Sequence, residues 1–216
     1  MHVIRFVTAC AIAVASFPLI PATAFAQGTA ADMTWFAGGL GGLTFGTETS
    51  GAVGGQFGVK VARNLFVIGE VGRMQNVIPK KVKDDLDDLI DGLEEELGVP
   101  ITVDVSLPAT YFFGGLRWIQ PRPGIAPFVE GGVGAGHISI KAERIEILGI
   151  DVSDEFEEEL GDDENATKFL LALSAGITAK LGQRAALDVG YRYSRIATEE
   201  PSINTSMVYV AVKFGG

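Results

Sequence analysis

Read for a period of two, the chain divides into segments of about ten residues bounded by turn residues, the length and alternation of strands in a closed transmembrane sheet. Ala185–Ile196 is the clearest: Ala185, Leu187, Val189, Tyr191 and Tyr193 share one face, and Ala186, Asp188, Gly190, Arg192 and Ser194 share the other. The final segment repeats it, with Val208, Val210, Val212 and Phe214 against Met207, Tyr209, Ala211 and Lys213. Phe169, Leu171, Leu173, Ala175 and Ile177 oppose Leu170, Ala172, Ser174, Gly176 and Thr178, and Val53, Phe57, Val59 and Val61 oppose Gly54, Gln56, Gly58 and Lys60. An apolar face toward lipid and a polar face toward a lumen account for both sets. Four further segments, Met33–Gly46, Leu65–Val77, Pro108–Ile119 and Ile125–Ile140, bring the expected strand number to eight. Their facing is weaker, because glycine runs such as Gly38–Gly42 carry no phase, and Phe66 and Ile68 turn inward if Glu70 does.

The joints add a second signal. Ala62-Arg63-Asn64, Gln120–Gly124 and Leu181-Gly182-Gln183 are short and rich in turn residues, whereas 78–107 and 141–167 are long. Short periplasmic turns and long outer loops then place both termini on the periplasmic side. The long joints hold 9 acids in 84–104 and 11 in 143–164, out of 27 in the chain, so acidic charge is kept off the wall. Each contains Glu-Glu-Glu-Leu-Gly, at 94–98 and 157–161, inside an amphipathic stretch marked by Leu86, Leu89, Ile90, Leu93 and Leu97 or by Phe156 and Leu160. Two short surface helices are predicted. Beside them, Ile101–Val105 and Ile145–Ile147, with Ile150 and Val152 beyond, alternate as strands that extend the fourth and fifth wall strands into a protruding sheet.

Compartment changes the picture next. Met1–Arg5 is a short positive region, Phe6–Ile20 is apolar, and Ala24-Phe25-Ala26 is a small-x-small cleavage site, so residues 1–26 are predicted to be a signal peptide and 27–216 the barrel domain. Val7-Thr8-Ala9-Cys10 has the outline of a lipoprotein box, but only Phe6 separates it from Arg5 and the apolar run continues past it. Cys10 is the single cysteine, so the exported part has neither disulfides nor thiolate metal sites. No later run approaches the ~20 apolar residues of a helical span. Yet mean hydropathy is +0.29, with 28 glycines and 47% hydrophobic residues. An apolar chain without spanning helices must close its backbone hydrogen bonds as a barrel.

Inside that barrel the sequence places a charge plan. Glu70, Glu130 and Asp188 each stand shortly after a short turn and are followed two residues later by Gly72, Gly132 or Gly190; Lys60, Arg117, Lys180 and Lys213 stand shortly before a turn or the chain end, with Arg192 higher. Buried ions persist when paired, so these eight residues are expected to form a lumen ion network. A narrow conduit is the rival reading.

Other candidates are weaker. His137 and Ser139 share a strand face near the outer rim and resemble the catalytic pair of lipid A deacylases, but the asparagine-containing elements associated with that family are missing around them. The acidic runs lack the ligand spacing of an EF-hand. A pI near 4.7 without a basic patch argues against nucleic acid. Gly131–Gly136 precedes no amphipathic helix, which a phosphate loop needs. No cofactor, metal or catalytic residue is expected.

Pro127-Phe128-Val129-Glu130-Gly131-Gly132-Val133-Gly134, Leu187-Asp188-Val189-Gly190-Tyr191-Arg192-Tyr193 and the alternating strand ending at Phe214 resemble the small outer membrane β-barrel family of OmpA-like transmembrane domains and opacity-type porins. The resemblance covers nearly all of 27–216. It implies an all-β, closed, antiparallel up-and-down barrel in the outer membrane, acting as a monomer. It also implies that Phe214, here followed by Gly215 and Gly216, is the aromatic signal read by the barrel assembly machinery. The expected role is structural or surface interaction with an extracellular partner. The alternatives are a small porin-like conduit, a lipid A-modifying enzyme using His137 and Ser139, and a soluble lipocalin-like binder whose apolar faces point inward.

Overall fold

The computed structural model describes residues 32–45, 49–78, 80–139, 141–147, 150–151, 166–197 and 202–216. The expected signal peptide, Cys10, Val152 and the second expected helix around Phe156 and Leu160 lie outside them. In chain order the elements are β1 (Trp35–Phe45), β2 (Thr49–Ala62), β3 (Leu65–Met74), α1 (Lys80–Leu97), β4 (Ile101–Ser106), β5 (Ala109–Ile119), β6 (Ile125–Ile138), β7 (Lys141–Ile147), β8 (Ile150–Asp151), β9 (Ala166–Lys180), β10 (Ala185–Ala197) and β11 (Ile203–Gly215).

Eight antiparallel strands close into a barrel in the order β1-β11-β10-β9-β6-β5-β3-β2, and β4-β7-β8 form a separate sheet. Each wall strand except β1 thus lies beside its predecessor in the wall, and β1 pairs with β11 from Phe36↔Gly215 to Phe45↔Ser206. The seam is finished by the chain end: Gly216 O accepts from Thr34 N at 2.5 Å and Trp35 N at 3.2 Å. A Cβ on Gly215 would lie 2.0 Å from Trp35 O, so the strand after Phe214 approaches β1 as only glycine allows. No helix among the described residues is long and apolar enough to cross a membrane.

Alternation sets the facing of every wall strand. Val189, Tyr191, Val208, Val210, Leu173 and Val53 point outward as expected, while Asp188, Arg192, Tyr209, Lys213, Ser174 and Gln56 are buried. Phe66 and Ile68 share the inward face with Glu70. In the glycine-rich β1 the inward set is Phe36, Leu40 and Thr44. Trp35, Trp118 and Phe214 stand outward near the short turns, and Phe45, Phe112 and Phe169 toward the opposite end, the two aromatic girdles of a membrane barrel.

One end of the barrel carries the termini and the turns 63–64, 120–124 and 181–184; we call it the turn end, and the other the loop end. At the loop end three residues separate β1 from β2 and five separate β10 from β11, so two of the four joints are long. The protruding sheet is present: β4 pairs with β7 from Ile101↔Ile147 to Ser106↔Lys141, directly above β5 and β6, and β8 folds back on β7. The single described helix, α1, is 18 residues long, so it is not the short helix expected; it starts at the lysines before the acidic run and touches β4.

A narrow barrel must seat large inward side chains against the facing wall. Phe36, Tyr111, Phe128 and Tyr209 are each paired directly with a glycine of the next strand, namely Gly58, Gly72, Gly176 and Gly190. A Cβ on those glycines would lie 2.4–2.8 Å from the ring it faces. The glycines at Gly72 and Gly190 are those that follow Glu70 and Asp188, so the acid-x-glycine spacing makes room for a tyrosine beside the acid. Gly190→Leu is therefore expected to lower stability by about 1–3 kcal/mol, the usual effect of overpacking. Combined with Tyr209→Ala the loss should shrink, a positive coupling read by urea unfolding in detergent; strictly additive losses would remove the ring–glycine contact from the argument.

Candidate functional site: the buried ion network

Six of the eight expected charges meet in the middle of the barrel. Arg192 on β10 donates from both Nη1 and Nη2 to Glu70 on β3, the latter at 2.8 Å, and Nη2 also reaches Glu130 Oε1 at 2.9 Å. In the closed strand order β10 and β3 stand opposite each other, so this bidentate pair crosses the full width of the lumen. Arg117 continues the chain, 3.2 Å from Glu130 Oε2 and 2.7 Å from Asp188 Oδ2, and Lys213 Nζ closes it 2.5 Å from Asp188 Oδ2. The sequence of charges is Glu70, Arg192, Glu130, Arg117, Asp188, Lys213, alternating in sign. Arg192 and Arg117 are each 1% exposed.

Neutral donors and rings complete the shell. Gln56 Nε2 donates to Glu70 at 3.0 Å and to Glu130 at 3.4 Å, Tyr111 OH to Glu70 at 2.8 Å and Tyr209 OH to Glu130 at 3.4 Å. Arg192 Nε donates to Ser174 Oγ at 3.0 Å, and Arg117 Nη2 to Thr178 Oγ1 at 2.8 Å. The Arg117 guanidinium lies 3.6 Å from the Phe128 ring centre, Arg192 5.1 Å from Tyr209, and Lys213 Nζ 4.2 Å from Phe36. Three of the four rings seated on glycines, Phe36, Phe128 and Tyr209, therefore also carry the cations, in desolvated cation–π contacts.

Asp188 Oδ2 faces both Arg117 and Lys213, and Arg117 Nε has no hydrogen-bond partner among the described residues. A cavity of ≈10 Å³ adjoins them, lined by Asp188, Arg117, Lys213 and Thr178 under Met33 and Ile119. That is room for about one water molecule. Apolar layers bound the network on both sides, with Met33, Phe66, Ile119 and Ala186 toward the turn end and Leu40, Leu170, Ile196 and Met207 toward the loop end.

The other two expected members are not among these six. Lys180 sits where β9 reaches the turn end, and Lys60 is only half-buried beside the register shift in β2 between Lys60 and Ala62. Alternation gives the face of a side chain but not the partner it meets. Conversely, Gln56, Tyr111, Tyr209, Ser174 and Thr178 were not singled out by the sequence, although each lies in phase with a charged neighbour.

The outer candidates settle differently. His137 faces outward, and its Nδ1 lies 3.1 Å from Thr167 Oγ1 on β9. Ser139 donates its backbone N–H to Pro108 O at 3.0 Å. This gives the histidine a structural partner and adds nothing to a nucleophile–base reading. At the loop-end rim, Asn76 is a clamp the sequence did not announce. Its Oδ1 accepts from Ile78 N and Leu107 N, both at 3.1 Å, and Ser50 Oγ donates to Asn76 O at 2.8 Å while lying 2.6 Å from Thr44 Oγ1. Both stems of the excursion that carries α1 and β4 are thereby pinned to the barrel.

A family profile described as outer membrane protein beta-barrel domain matches residues 11–214. The chain belongs to this outer membrane β-barrel family. Its members' compartment places the chain in the outer membrane of Gram-negative cells. Among solved structures, Neisserial surface protein A is 11% identical with a TM-score of 0.54, covering 84% of this chain and 96% of that one. Ail, the attachment invasion locus protein of Yersinia pestis, is 13% identical with a TM-score of 0.44, over 88% and 100% of the two chains. The N-terminal β-barrel domain of Pseudomonas aeruginosa OprF is 11% identical with a TM-score of 0.47, over 87% and 100%. At 11% identity the likeness to Neisserial surface protein A shows the fold alone. No curated protein matches the sequence.

Because Arg192 is the cation paired with buried Glu70 and shares Glu130 with Arg117, Arg192→Met is expected to destabilise the barrel by about 3–5 kcal/mol in urea unfolding. Neutralising the stranded acid as well, in Glu70→Gln/Arg192→Met, leaves Glu130 and Asp188 balanced by Arg117 and Lys213 and should recover part of that loss. A single-variant effect below about 1 kcal/mol would mean that the bridge is wetted and not buried.

Proposed function

We propose that this barrel is a structural, surface-interaction protein of the outer membrane whose interior is closed to solutes and whose working surface is the loop end. The observation that carries the reading is the diametric bridge from Arg192 to Glu70 with Glu130 attached. An eight-stranded barrel has an interior about wide enough for side chains alone. Here the middle of that interior is filled by paired ions and the rings that flank them. Apolar layers on either side keep the network in a low-dielectric setting, where breaking it to admit a solute is costly.

In this reading residues 1–26 export the chain and are cleaved, and Phe214, 59% exposed on the last strand, is presented to the barrel assembly machinery. The termini and short turns face the periplasm. The sheet of β4, β7 and β8 and the helix α1 then stand outside the cell, held to the rim by Asn76. The mature part needs no cofactor, because the network's task is to keep the wall shut and rigid beneath the loops.

Two measurements test this. Purified protein in a planar lipid bilayer should give no stable conductance steps; large, long-lived steps would restore the small-solute conduit. A cysteine placed at Asp88, read with a membrane-impermeant maleimide, should label on intact cells; labelling that requires cell breakage would reverse the orientation.

A further inference from the structure

The amphipathic helix α1 has an apolar stripe that the fold covers only in part. Val82, Leu86, Leu89, Ile90 and Leu93 recur at helical spacing. Leu86 and Ile90 are half-buried, but Leu89 is 59% exposed and Leu93 39%. At about 100° per residue the open edge of the stripe, at Leu89, is bordered by Asp85 and Glu96, with Asp88 and Glu95 behind them. From Asp84 to Glu96 every charged residue of the helix is a carboxylate.

The charges also run against the helix dipole. Lys80, Lys81 and Lys83 occupy the positive end, no acid lies in the first turn, and no base lies in the last. Gly92 weakens the middle of the helix. The C-terminus is closed only by Gly98, at φ 65, whose N–H donates to Glu94 O at 2.8 Å. Alone, such a helix is poorly matched to its own termini; cations brought to its C-terminal half would correct the mismatch, and apolar side chains would cover Leu89 and Leu93. A second copy of the same face, or an anionic lipid surface, is repelled by the carboxylates. The clamp at Asn76 holds the stems of this excursion, so the edge is displayed from a fixed base.

We propose that the exposed edge of α1 is a docking surface for a cationic amphipathic segment of a partner protein, with leucine-type anchors flanked by lysine or arginine. The proposal rests on the loop end facing outward. Recognition would be of the helix-against-helix kind, with Leu89 and Leu93 as the contacts that give affinity and Asp85 and Glu96 as those that select charge.

The test uses the full exported chain in nanodiscs of zwitterionic phospholipid. The probe is a fluorescent synthetic peptide of about 18 residues, made of leucine and lysine at helical spacing. A scrambled peptide of the same composition and empty nanodiscs serve as controls. The helical peptide should bind at least about tenfold more tightly than the scramble, and its affinity should fall as salt is raised. Leu89→Ser/Leu93→Ser should weaken it about tenfold, and Asp85→Asn/Glu96→Gln should flatten the salt dependence. Heat-modified gel mobility on each variant checks that the barrel is intact, which these exposed positions should not disturb. Equal binding of the scramble, or affinity untouched by both double variants, overturns the proposal; so does association of α1 with a second copy or with anionic vesicles in place of the peptide. The Asp88→Cys label separates the failures: without surface labelling the outward reading itself is wrong, whereas labelling without peptide binding removes only the docking surface.

Discussion

A wall that hydrogen-bonds to itself all the way round leaves its enclosed charges no way out, and everything else in this molecule follows from how they are paired. Three acids, Glu70, Glu130 and Asp188, meet three bases, Arg192, Arg117 and Lys213, in one alternating chain. The decisive link, Arg192 to Glu70, joins strands on opposite sides of the barrel. No local contact can set it. Its geometry is met only when the registers from β3 round to β10 are all correct, because a slip of one residue would send every side chain of a strand to the other face.

Packing and electrostatics use the same positions. The rings of Phe36, Phe128 and Tyr209 lie over glycines of neighbouring strands and offer their faces to Lys213, Arg117 and Arg192. Removing a ring would open a void and strip a cation; enlarging a glycine would push the ring into the network. Buried apolar side chains around the ions leave room for about one water beside Asp188, a low-dielectric setting that strengthens each pair and raises the cost of any unpaired one. In the proposed reading the closed barrel gives the loop end a firm base, to which Asn76 ties both stems of the protruding elements.

The fold was legible in the sequence because lipid and lumen impose opposite demands on alternate residues. β9, β10 and β11 carry large apolar side chains against polar or small ones, so their phase is plain, and the protruding sheet announces itself through Ile101–Val105 and Ile145–Ile147. The phase of β1 was hidden because Gly38–Gly42 carries almost no side chains, and in the structure it is Phe36, Leu40 and Thr44 that fix it. Six of the eight expected charges could be named from their face alone. Which acid meets which base could not, since Arg192 and Glu70 are 122 residues apart and share no strand pairing. Alternation likewise puts Lys60 and Lys180 on the lumen face without saying what either one meets. Gln56 and the two tyrosines were passed over because an uncharged side chain on the lumen face gives no sign that it will finish an ion's hydrogen bonds.

The seam between first and last strands is where the enclosure either holds or fails, and amide hydrogen exchange on the bilayer-reconstituted protein reads it directly. Backbone amides of Phe36–Phe45 and Ser206–Gly215 that bond across the seam should be protected as strongly as those joining β9 to β10. Rapid exchange along either edge, with the β9–β10 amides still protected, would mean an open sheet and a lumen whose charges are not enclosed.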